Sequence, residues 1–111
     1  MAYYLVSARP LLDRLDDLQS RLTERAFLGL QPFGRSLTVA LEGARRRPDG
    51  TAVWEEEDYC RPPLAQEREA VLDQYFDDLS VEPVERGAGW QRIADLPPLF
   101  PAFAARPSGN R

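Results

Sequence analysis

The sequence predicts a single α+β domain whose elements run in the order β-α-β-β-α-β. Three observations carry this. Residues 2–8, AYYLVSA, are apolar or small on both alternations, as expected of a strand covered on both faces and therefore central. Leu11, Leu15, Leu18, Leu22 and Ala26 recur every three or four residues, and Leu64, Val71, Leu72, Tyr75, Phe76 and Leu79 form a second such stripe, so two amphipathic helices follow. Between them, Pro48-Asp49-Gly50 supplies turn chemistry that leads into the apolar start Ala52-Val53-Trp54.

Each element has its own signals. Pro10 suits the first position of the first helix, where its missing N–H is not needed. Asp13 favours the positive end of that helix, and Gly29 and Pro32 stop it. Residues 36–46 alternate Leu37, Val39, Leu41 and Gly43 as a strand would, while Leu37, Leu41 and Ala44 also share a helical face. The β-branched pair Thr38-Val39 and the glycine weaken the helix. The reading therefore favours a hairpin of 36–46 with 51–59, with a helix as the alternative. Pro62 and Pro63 open the second helix, and residues 80–86 form a last strand whose Pro83 suits a sheet edge.

This order resembles the ferredoxin-like plait, a four-stranded antiparallel sheet with two helices on one face. The resemblance concerns architecture over residues 2–86 and carries no activity with it. Residues 1–86 form the domain. Residues 87–103, with Trp90, Ile93, Leu96, Leu99 and Phe100, read as an extended proline- and aromatic-rich arm packed on its own or a partner subunit. Residues 104–111 read as a flexible tail. A first strand apolar on both faces requires cover on the face away from the helices. A homodimer, with a sheet-to-sheet contact resembling that of dimeric α/β barrels, or the folded-back arm would supply it, and the reading favours the dimer.

Composition excludes several chemistries. The chain has 111 residues with 18 acids, 14 bases and a net charge of −4, and it holds no histidine. All the bases are arginine. Histidine general bases, imidazole metal ligands and Schiff-base lysines are thereby absent. The single Cys60 precludes an intramolecular disulfide and a cysteine zinc site. The acidic balance argues against a nucleic-acid partner, and no apolar run approaches the ~18 residues of a membrane span. A cytoplasmic protein without cofactor or metal is expected.

One stretch breaks the pattern. TAVWEEEDYC begins as an apolar strand and then places four carboxylates in succession, Glu55, Glu56, Glu57 and Asp58, before Tyr59 and Cys60. Because a strand points alternate side chains to opposite faces, either register aims two acids beneath the helices. An unpaired buried carboxylate must protonate or find a partner. Arg68 falls within the apolar sector of the second helix and would partner them through a bidentate fork; the favoured alternative ends the strand near Trp54 or Glu55, leaving the acids in a solvated loop and Arg68 at the rim of the core. Metal binding by the acids is not expected, because successive carboxylates diverge on a pleated strand and no calcium loop is present.

Two functions follow from these residues. The first is a small non-catalytic binding or regulatory protein, with Glu56, Asp58, Trp90 and Phe100 as contact residues for a protein partner. The alternative is a small cofactor-free enzyme of isomerase or lyase type. There Glu55 or Glu57 acts as the base, Tyr59 as a donor and Arg68 as the holder of an anion.

Overall fold

The structure, a computed structural model, describes residues 2–104. The chain begins with strand β1 (Ala2–Pro10), whose two apolar faces place it inside the sheet. A 3-10 turn at Leu12–Arg14 leads into helix α1 (Leu15–Thr23), which buries Leu18 and Leu22. Helix α2 (Gly34–Glu42), the short strand β2 (Arg45–Arg46) and strand β3 (Ala52–Asp58) follow. Helix α3 (Ala65–Ala70) and a 3-10 turn at Leu72–Gln74 precede strand β4 (Phe76–Val84). Two short helices, α4 (Ala88–Arg92) and α5 (Pro101–Ala104), complete the described chain.

The sheet has the order β2-β3-β1-β4 with every neighbouring pair antiparallel. This is the ferredoxin-like plait. Register fixes the faces: Val6 lies opposite Trp54 and Tyr4 opposite Glu56, while Leu5 lies opposite Glu55 and Tyr3 opposite Glu57. The first set faces the helices and joins Leu18, Leu22, Leu37, Leu41, Leu64 and Leu72 in the main core.

Two elements differ from the expected pattern. Residues 36–42 are helix, and the hairpin strand is reduced to Arg45 and Arg46. The buried apolar side chains of α2 are Leu37, Ala40 and Leu41 at helical spacing, whereas Val39, which completed the strand alternation, is 61% exposed. Thr38 fits because its hydroxyl donates to the Gly34 carbonyl at 2.7 Å, and Gly43 caps the helix rather than interrupting a strand. Gly34 is required at the start of α2: a Cβ there would stand 2.2 Å from the Phe27 carbonyl oxygen. The second helix also ends early. Phe76 and Leu79 belong to β4, whose alternation a helical stripe had absorbed.

The reverse face of the sheet is covered by the chain itself. Ile93 is buried against Leu5 and Val53, with Val84, Trp90 and Leu96 around them. Leu99 donates its N–H to the Ala44 carbonyl at 2.8 Å, which ties the C-terminal segment to the end of β2. That C-terminal arm carries the short helices α4 and α5. The apolar reverse face no longer calls for a second subunit. The tail expected to be flexible lies, from residue 105 onward, outside the described residues.

Candidate active site

Glu55, Glu56 and Asp58 of the acid run of β3 are buried and Glu57 is partly exposed, and the four are divided between the faces as the pleat requires. Glu55 and Glu57 lie on the reverse face, and Glu56 and Asp58 face the helices.

Glu55 has a structural task. Its carboxylate accepts N–H donors from Gly87 at 2.8 Å, Gly89 at 2.8 Å and Trp90 at 3.3 Å. These groups open α4 and have no partner within the helix. A Cβ on Gly89 would meet the Glu55 carboxylate at 2.8 Å, so the glycine permits this approach. Glu57 accepts hydroxyl donors from Tyr3 at 3.3 Å and Tyr59 at 3.2 Å. Tyr59 is 67% exposed, and this pair sits at the rim.

Arg68 does not reach the acids. Its side chain is 45% exposed and pairs with Asp73 at 3.5 Å. An exposed pair of this kind contributes little. Arg68→Ala is therefore expected to change stability by less than about 0.5 kcal/mol, measured by urea denaturation; a loss of several kcal/mol would contradict the placement. Trp90 is half-buried between the two faces, and Phe100 is buried in the main core. Phe100 is thus a core residue rather than a contact surface.

The residue that meets the acids is Glu67 on α3, fully buried and absent from the sequence-based candidates. Leu64 adopts a left-handed conformation (φ 64°) immediately before α3, which sets the phase of the helix. Asp58 holds this turn by accepting the Leu64 N–H at 2.6 Å and the Cys60 N–H at 3.1 Å. Glu67 stands three residues after Leu64 and four before Val71, both buried. That spacing was the available signal, and Arg68 satisfied it equally well.

Glu56, Asp58 and Glu67 thus form a buried carboxyl cluster with Cys60 at its edge. The Trp54 indole N–H donates to Glu56 Oε1 at 2.9 Å, and the Cys60 thiol lies 3.8 Å from Glu67 Oε1. Glu56 Oε2 and Glu67 Oε2 are buried without a donor. No cation is paired with these acids among the described residues. Carboxylates crowded together in this way disfavour one another's charged forms. Burial, followed by the shared hydrogen bond with Asp58, raises Glu67 to about 7. Burial also pushes Glu56 well above the usual carboxylate range, against the indole hydrogen bond and with the charges of Glu67 and Asp58. At Cys60 the backbone hydrogen bond from Gln66 lowers the thiol, but burial and the charges of Asp58 and Glu67 outweigh it and push it up. The adjoining Arg61 does not activate the thiol.

Two cavities meet at this cluster. A small one of about 60 Å³ is lined by Phe33, Ser36, Asp58, Cys60, Gln66 and Glu67, with room for a few waters. A larger cleft of about 410 Å³ is lined by Tyr4, Asp58, Tyr59, Cys60, Arg61 and Pro62. Asp58 and Cys60 belong to both walls. Ligand atoms of Asp58, Cys60 and Glu67 lie within 4.8 Å of one another, a convergence invisible along one strand because Glu67 arrives from a helix.

Comparison with protein-family models, with curated proteins and with solved structures finds no match for this chain. Among the described residues no helix is long and apolar enough to cross a membrane.

Proposed function

We propose that the protein is a small enzyme of isomerase or lyase type that uses the Glu56–Asp58–Glu67 cluster for general acid–base chemistry. The observation that carries this reading is the burial of two carboxyl oxygens without donors, on Glu56 and Glu67, in a cluster that lines a cavity. Unsatisfied buried polar groups cost stability, and a structural ion pair would have removed them. A carboxyl group held near neutrality both gives and accepts a proton at working pH, which is what acid–base catalysis requires.

The arrangement assigns roles. Glu67 is the proton donor and acceptor, close to Asp58, whose position is fixed by two backbone donors. Glu56 is held by the Trp54 indole and keeps a second carboxyl beside Glu67. The larger cleft accommodates a small substrate between Tyr4, Tyr59 and Pro62, and Arg61 at its wall takes the anion-holding role first given to Arg68. A compact carbonyl acid fits: its carboxylate on Arg61, its acidic C–H toward Asp58, which lines both this cleft and the small cavity where Glu67 stands.

Deuterium exchange from D₂O into the C–H positions of small α- and β-keto acids, followed by proton NMR with chelator present, tests this. The wild type is expected to exchange at least one of them, and Glu67→Gln to lower the rate by at least about 100-fold. No exchange across the panel, or equal rates in the two proteins, contradicts the reading.

A further inference from the structure

The same geometry points to a second occupant. We propose that Asp58, Cys60 and Glu67 bind one borderline d-block dication of the Zn²⁺ class, which occupies the carboxylates the acid–base reading uses and so blocks the reaction. The binding site stands on geometry alone; its regulatory effect rests on the acid–base reading above.

The donor set selects the class of ion. One sulfur with two carboxylates suits Zn²⁺ or Co²⁺ better than Mg²⁺ or Ca²⁺, which take oxygen alone. Tetrahedral ligation at about 2.0–2.3 Å spaces ligand atoms by roughly 3.3–3.8 Å. The Cys60 sulfur and Glu67 Oε1 already stand 3.8 Å apart, and all three ligand atoms lie within 4.8 Å. Modest closure therefore completes three corners.

Independent support comes from the oxygens left without donors. Glu67 is fully buried and its Oε2 has no partner, and the equally buried Glu56 presents a second such oxygen beside it. A dication neutralises this concentration of acids, with which no arginine among the described residues forms an ion pair. Asp58 is fixed in place by the Leu64 and Cys60 amides, so its position is organised before any ion arrives. The cavity of about 60 Å³ beside the three residues leaves room for a water as fourth ligand. The bonds that form are metal–sulfur and metal–oxygen, and the thiol and carboxyl protons pass to solvent.

Co²⁺ is the probe. Titrated anaerobically into chelator-treated protein, it is expected to bind one ion per chain, with visible bands of a four-coordinate centre and a near-ultraviolet thiolate-to-cobalt band, both erased by Zn²⁺. Cys60→Ser should lose the thiolate band and bind at least tenfold more weakly. Glu67→Gln should weaken binding similarly, so either variant decides if the other fails to fold. Absence of stoichiometric binding, or a thiolate band that survives in Cys60→Ser, overturns the site. Protein that takes Co²⁺ without any proton exchange when metal-free defeats the acid–base reading alone. Protein that exchanges but takes no Co²⁺ defeats this inference alone. Exchange undiminished by bound Zn²⁺ overturns the regulatory effect.

Discussion

Glu55→Ala is expected to lower stability by about 3–5 kcal/mol and the melting temperature by more than roughly 10 °C. The carboxylate accepts three N–H donors at the start of α4, and truncation orphans them at the edge of a covered sheet face. Each buried donor left unpaired costs roughly 1–3 kcal/mol. The loss spreads further, because α4 carries Trp90 and leads to Ile93, which covers Leu5 and Val53. Amide hydrogen exchange should accelerate at residues 87–93 in the variant. Glu55→Gln keeps the shape and loses the charge-assisted strength, so its loss should be smaller. A variant as stable as the wild type would show that the C-terminal segment is held by its apolar contacts alone.

Glu67→Gln is expected to have the second large effect, seen as altered pH dependence. Glu67 rises from 4.5 to about 7 in the folded protein, chiefly by burial. Between these values the folded chain keeps a proton that the unfolded chain has released. The stability contributed by the protonated carboxyl is complete below about 4.5 and is lost as pH rises through about 7. Glu56, raised in the same direction, adds to the loss; Asp58 faces both groups, and the Cys60 thiol faces Glu67. Metal-free wild type should thus melt several degrees lower at pH 8 than at pH 5. Glutamine imitates the protonated acid, donating to Asp58 and Glu56 without a charge. Glu67→Gln should therefore match the wild type near pH 5 and exceed it at pH 8. Parallel melting curves for the two proteins across this range would contradict the account.

Much of the fold was legible because it rests on periodicities that survive tertiary packing. The double apolar alternation of residues 2–8 marked the central strand, and the stripe around Leu18 and Leu22 marked the first helix. The failures have local causes. At residues 36–42 both periods fit Leu37 and Leu41, and the decision turned on Thr38 and Val39, which disfavour a helix only weakly. A hydroxyl bond to Gly34 and an exposed position for Val39 remove even that objection. Near Phe76 a strand followed a helix without a break in apolar spacing.

The site was legible by half. Four acids in a row on an apolar strand announced a conflict between sequence and burial, and the pleat sorted them correctly into pairs. What the residues did not disclose is how each pair is resolved. Backbone donors of a distant helix settle Glu55, and no sequence pattern encodes that contact across 32 positions. On the other face the expected arginine and the actual glutamate are neighbours in sequence. The left-handed turn at Leu64 chose between them. A charge that looked as though it needed a countercharge was met instead by a third acid.

The most direct test of the account is a carbon-13 NMR titration of the side-chain carboxyl groups in chelator-treated protein, with Glu67→Gln to assign the resonance. One glutamate is expected to titrate near pH 7 and to vanish in the variant. If every glutamate ionises near 4.5, the acids beneath α3 are solvated charges and the proposed centre does not exist.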